Sequence, residues 1–232
     1  MKKINKPKKP SFFKLDTIKN YKNLKNKDNK IIARWNYDNK NIKEFKPWFL
    51  DIFNQECSYC GIKLKSVEVD HYLPKSEFPY LSYCYDNYLL SCSDCNQKLK
   101  GDFYPESLKG KNYGEDFLVN EIPNIIKYEK ENLLLSTNDR IIEPSFDDIE
   151  EHLEFNVLTC EYRVINSSKI GQITKNKFFN KKFSEKLHQI SIAVQELIEN
   201  NTKETVMAFS KIYGQSFYYE KFYEFWSEFY RD

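Results

Sequence analysis

Two C-x-x-C pairs, Cys57 with Cys60 and Cys92 with Cys95, are separated by 31 residues, and they constrain this chain more than any other feature. Each pair supplies two thiolates from one tight turn, and four thiolates suit a tetrahedral zinc ion. Four sulfur ligands close the coordination shell, so such an ion would be structural. The spacing exceeds that of a compact zinc ribbon, so the clamped segment must hold folded structure of its own. The plain alternative is four reduced, buried cysteines, a common state of the free thiol. Cys84 and Cys160 follow no partner pattern.

The clamped segment reads as strand, loop, strand, helix. "SVEVD" alternates and is rich in valine, as half-buried strands are. "HYLPKSEFPYLSYCYDN" is a loop broken by Pro74 and Pro79. "YLLSC" is a second short strand. "SDCNQKLKG" is a short helix, with Ser93 or Asp94 as N-cap and Gly101 as terminator. Asp70 and His71 end the first strand, Asn87 precedes the second, and Asn96 lies on the first turn of the helix. Zinc would hold that helix beside the strands and bring Asn96 near Asp70. Their side-chain oxygens are hard ligands suited to Mg²⁺ or Mn²⁺. Neighbours on a strand point to opposite faces, which leaves His71 for a different task. With an ordinary pKa of about 6.5 it suits a general base acting on water. Glu68, two residues before Asp70, shares its strand face and is an outer candidate. Asn87 on its own is also a common Asx-turn residue.

The runs "CSYC", "VDHYLPKS", "YDNYLLSC" and "CNQKLKG" resemble the HNH, or ββα-metal, endonucleases. The resemblance implies His71 as general base, Asn87 as the residue that braces the loop and orients that base, and Asp70 and Asn96 as ligands of the catalytic divalent ion. It also implies a lysine near the helix end that meets nucleic acid. The usual ending Asn-x-x-Lys-Gly carries one extra residue here, Asn96 to Gly101, so Lys98 and Lys100 both stand for that role. The start "MKKINKPKKP", "KGDFYP" and "EEHLEF" further resemble PtuB-like HNH subunits of Septu and retron anti-phage systems. That resemblance implies a PtuA-like ABC-class ATPase partner and, in retron-linked versions, a reverse transcriptase with its RNA–DNA product. The implied substrate is nucleic acid, DNA first and RNA second. The competing function is a non-catalytic zinc knuckle that binds nucleic acid or protein; it needs the cysteines but gives no use to His71.

Outside the motif the chain is a basic arm and lead-in segment (1–45), the nuclease-like core (46–105), and a mixed connector followed by a helical region (106–232). Residues 1–50 carry a net charge of +11 and the remainder −9, which makes the arm an electrostatic handle for phosphates or a solvated tail. Trp48, Phe49, Ile52 and Phe53 have helical spacing, with Pro47 suited to a first helical position; Ile42 and Phe45 could extend the apolar face, in which case Pro47 would kink the helix. "HLEFNVLTCEYRVI" suggests a hairpin. Residues 172–200 and 202–231 suggest two long helices, the second so aromatic that it could present a partner surface. His188 lies among apolar neighbours and reads as structural. Mean hydropathy is −0.71, and the first 15 residues lack the apolar stretch of a signal peptide, so a cytoplasmic protein is expected. The expected fold class is α+β: a small ββα-metal core with a zinc knuckle, embedded in a mostly helical chain with two long C-terminal helices.

Overall fold

The computed structural model describes residues 1–14, 39–53, 55–63, 68–110, 118–119, 122–123, 134–200 and 217–230. It is an α+β fold whose order is set by the clamped segment. Helix α1, Asn39–Ile52, leads into the first cysteine pair. It begins well before Pro47, which sits inside it, so the extended reading through Ile42 and Phe45 holds rather than a start at that proline. An interior proline costs about 3 kcal/mol in a helix, and burial opposes that cost here. Phe45, Phe49 and Phe53 follow one another at four-residue intervals and are all buried, with the Phe45 and Phe49 rings stacked at 4.8 Å.

Strands β1, Glu68–His71, and β2, Tyr88–Ser91, pair antiparallel, with Asp70 opposite Leu89 and His71 opposite Tyr88. The loop between them makes two short 3-10 turns, Pro79–Leu81 and Tyr85–Asn87. After β2 comes the expected short helix, Asp94–Lys100, which takes the π form. The strand–loop–strand–helix order therefore stands. The basic arm is partly built into this body. Phe13 is buried beside Phe45, with ring centres 5.2 Å apart. Lys6 Nζ donates to the carbonyls of Tyr85 and Tyr88 at 2.6 and 2.7 Å, so this lysine caps loop carbonyls. Residues 15–38 of the arm lie outside the described residues, and its last residues open helix α1.

Beyond the core, short strands β3, Leu118–Val119, and β4, Ile122–Pro123, pair with each other. The expected hairpin forms from β5, Leu153–Asn156, and β6, Glu161–Val164. Arg140 and Asp147 make a buried ion pair, and the segment around them links the core to the helices. Tyr72 donates its hydroxyl to Ile141 O at 2.6 Å, and Ile142 N donates to Thr174 Oγ1 at 2.7 Å.

The helical region contains three described helices, α2 (Lys169–Phe178), α3 (Lys181–Asn200) and α4 (Phe217–Phe229). The pattern over 172–200 suggests one helix. The break falls at Asn180, whose side chain accepts the Phe183 N–H at 3.1 Å and so caps α3. Helix α4 packs on α3, with Trp226 Nε1 donating to Ser191 Oγ at 3.1 Å. It buries Tyr218 and Phe222 and leaves Tyr223 and Phe229 exposed. The expected helical stretch before residue 217 lies outside the described residues. No helix among the described residues is long and apolar enough to cross a membrane.

Candidate active site and cysteine cluster

The thiol sulfurs of Cys57, Cys60, Cys92 and Cys95 all lie within 4.8 Å of one another. A tetrahedral ion with Zn–S bonds of about 2.3 Å needs sulfurs about 3.8 Å apart, and Cys60 and Cys92 stand 4.0 Å apart. Gly61, at φ +68°, allows the turn that closes the first knuckle. Ser58 N donates to Leu90 O at 2.8 Å and pins that knuckle to β2. Backbone N–H groups also point at sulfur: Cys92 N at Cys57 Sγ and Cys95 N at Cys92 Sγ, both 3.4 Å. Such donors suit anionic thiolates. Geometry and chemistry both fit a structural zinc ion.

The adjacent Asp70 and His71 face different partners, as strand alternation requires. Asp70 points under the π-helix. Its Oδ1 accepts from Lys100 Nζ at 3.1 Å, and its Oδ2 accepts the Tyr59 hydroxyl. Burial raises the Asp70 carboxyl above its ordinary pKa, while Lys100 and the Tyr59 hydroxyl oppose that rise. Tyr59 lies inside the first knuckle and stacks on Phe178 at 4.8 Å, so one side chain joins the cysteine cluster to the carboxylate.

His71 turns to the loop. Its Nε2 lies 2.9 Å from Ser82 O. A carbonyl only accepts, so Nε2 carries the proton and the neutral ring has its lone pair on Nδ1. The Tyr88 ring meets the imidazole edge-on at 5.1 Å, and the Tyr88 hydroxyl donates to the same Ser82 carbonyl at 2.6 Å. Burial lowers the His71 pKa to about 4, so the ring is neutral at pH 7.

Asn87 is fully buried. Its Oδ1 accepts from Leu73 N at 2.8 Å, and its Nδ2 donates to Leu73 O at 2.9 Å. Tyr72 N donates to the Asn87 carbonyl at 2.8 Å. These bonds fix the chain just after His71. Across the sheet, Asn96 is half-buried and donates Nδ2 to Glu68 Oε2 at 2.9 Å, while Gln97 Nε2 donates to Glu68 Oε1 at 2.7 Å.

Residues 57–102 match the family model described as HNH endonuclease. This segment is an HNH domain. It is also 42% identical over 53 residues to the Septu protein PtuB of Bacillus thuringiensis, a match that covers 21% of each chain. The likeness to that relative thus spans about a fifth of its length. No solved structure matches.

The HNH domain absorbs its extra residue through the π-helix. Gly101 N donates to Asn96 O at 2.9 Å, a bond to the fifth residue back, and this wider turn accommodates one more residue than an α-turn. Gly101 closes it at φ 53°, ψ −137°, a conformation open essentially to glycine. The widened turn places the two lysines differently. Lys98 is exposed and pairs with Asp94 at 2.6 Å. Lys100 is buried and donates to Asp70 and, at 2.8 Å, to His71 O.

Sequence reasoning misses Tyr59 and Ser82. Nothing in "CSYC" marks the tyrosine as a partner of Asp70, and Ser82 acts through its backbone. Glu68 is legible only from alternation. The oxygen set of the HNH domain fits Mg²⁺ or Mn²⁺ in chemistry. A carboxylate offers about four lone-pair sites, so the bonds from Lys100 and Tyr59 do not exhaust Asp70.

Proposed function

We propose that this protein is a metal-dependent endonuclease that hydrolyses phosphodiester bonds in nucleic acid, with DNA as the first substrate and RNA the second, and that it serves as the nuclease of an anti-phage defence system alongside an ATPase. The observation that carries the reading is the placement of His71: its Nε2 is held on the Ser82 carbonyl, which leaves Nδ1 as the basic nitrogen, next to Asp70 in a segment that matches the HNH endonuclease model.

His71 Nδ1 takes a proton from water as the water oxygen bonds to phosphorus and the bond to the leaving oxygen breaks. Ser82 O supports the positive charge that develops on the ring, through the Nε2 proton it accepts. Asn87 holds the Leu73 backbone and hence the direction of the imidazole. Asp70 and Asn96 would hold Mg²⁺ or Mn²⁺, which when bound supplies electrostatic stabilisation of the phosphate and the leaving oxygen. Lys98 contacts a phosphate from its exposed position. Lys100 acts from within, on Asp70.

The defence role rests on the likeness to the Septu protein PtuB together with the resemblance of the flanking segments. An ATPase of the PtuA-like ABC class is the proposed partner, and a reverse transcriptase with its RNA–DNA product would join in a retron-linked setting. The test is cleavage of plasmid DNA and of structured RNA with Mg²⁺ or Mn²⁺, by the chain alone and with the ATPase encoded beside it. Divalent-dependent cleavage that Asp70→Ala abolishes is the expected result. No cleavage of either substrate in either setting would overturn the reading.

A further inference from the structure

The geometry assigns to Glu68 a positioning role: its carboxylate fixes the orientation of the Asn96 amide so that the carbonyl oxygen is presented to the catalytic cation. This rests on the reading that Asn96 is a ligand of that ion. A carboxylate facing an amide at 2.9 Å can only accept, so the Asn96 group on Glu68 Oε2 must be Nδ2. The Asn96 Oδ1 is therefore turned away from Glu68. An asparagine amide rotates about a soft terminal torsion, and without a partner it would present nitrogen or oxygen alike. Only the oxygen can bind a cation.

Two further features support the assignment. Glu68 lies two residues before Asp70 on β1, on the same face of the strand, so its charge is on the side where the ion is expected. Its second oxygen is held by Gln97 Nε2 at 2.7 Å. Both oxygens are thus committed to neighbouring residues of the π-helix, which makes Glu68 a brace between strand and helix. Outer-shell partners of this kind orient ligands, and their loss typically costs about 10- to 100-fold in metal affinity.

The test is Mn²⁺ binding to the full zinc-loaded chain, read by electron paramagnetic resonance of the free ion, with zinc content and thermal unfolding as controls on folding. Glu68→Ala should weaken Mn²⁺ binding about tenfold or more. Glu68→Gln should restore most of that loss, because its amide oxygen can still accept from Asn96 Nδ2. The double variant Glu68→Ala/Asn96→Ala should bind no worse than Asn96→Ala alone, since Glu68 acts through Asn96. Unchanged Mn²⁺ binding in Glu68→Ala, additive losses in the double variant, or no restoration by Glu68→Gln would each overturn the positioning role. If Asn96→Ala itself binds Mn²⁺ like the native chain, the ligand reading fails and this inference falls with it, an outcome distinct from the other three.

Discussion

Lys100 Nζ stands 3.1 Å from Asp70 Oδ1, with the two side chains only 1% and 4% exposed. A buried ion pair of this kind becomes costly when one partner is lost, because the other charge is left in the interior. Lys100→Met is expected to lower the unfolding free energy by about 3–5 kcal/mol, measured by urea denaturation. Lys98→Ala should leave the midpoint unchanged, since that lysine pairs only at the surface. Equal effects of the two replacements would show that the π-helix does not sort the lysines in this way.

His71 links stability to pH. Its pKa is lowered to about 4 in the fold, against about 6.5 in an unfolded chain. Between those values the unfolded state holds a proton that the native state does not, so stability falls with acid. The contribution is complete above about pH 6.5 and is lost as pH drops toward 4, a span worth about 3 kcal/mol. The difference in urea midpoint between pH 7 and pH 4.5 should shrink in His71→Gln. The acid limb of the cleavage rate should also lie below pH 5. A limb near 6.5 would mean that the base is not buried.

Much of this arrangement is legible in the sequence, for identifiable reasons. The cysteine pairs, the two β-prone runs and Gly101 are local signals, and local physics governs them. What escapes is long-range. Helix α1 runs through Pro47 because Phe45 and Phe49 find a core, which propensity cannot register. The Asn180 cap divides an unbroken apolar pattern that periodicity alone reads as continuous. Lys98 and Lys100 look alike in sequence. Their separation depends on the wide π-turn over Asp94–Lys100, which the bond from Gly101 N to Asn96 O closes, and on a carboxylate waiting on a strand thirty positions earlier.

Zinc removal gives a third prediction. The knuckle carries Tyr59, and Tyr59 carries a bond to Asp70, so loss of the metal should disturb the Asp70 carboxylate as well as the fold. The purified chain should contain one zinc ion, and Cys92→Ser should lose it and unfold at a lower temperature. A fully stable, zinc-free Cys92→Ser variant would remove the structural role of the cluster.

Asn87→Ala strips the buried Leu73 N–H and C=O of their side-chain partner. Leaving buried polar groups unsatisfied costs about 1–3 kcal/mol each. Unfolding free energy should therefore fall by at least about 2 kcal/mol, with cleavage falling further because the His71 loop loses its brace. Stability lost without any change in cleavage per folded molecule would separate Asn87 from the chemistry.

The central claim is that His71 performs proton transfer inside a zinc-held scaffold. The most direct measurement compares the native chain with His71→Ala in Mg²⁺- or Mn²⁺-dependent cleavage of DNA, with zinc content and thermal unfolding followed in the same samples. The variant is expected to keep its zinc and its fold and to lose cleavage by about 100-fold or more. A folded, zinc-loaded His71→Ala protein that cleaves at the native rate would contradict that claim.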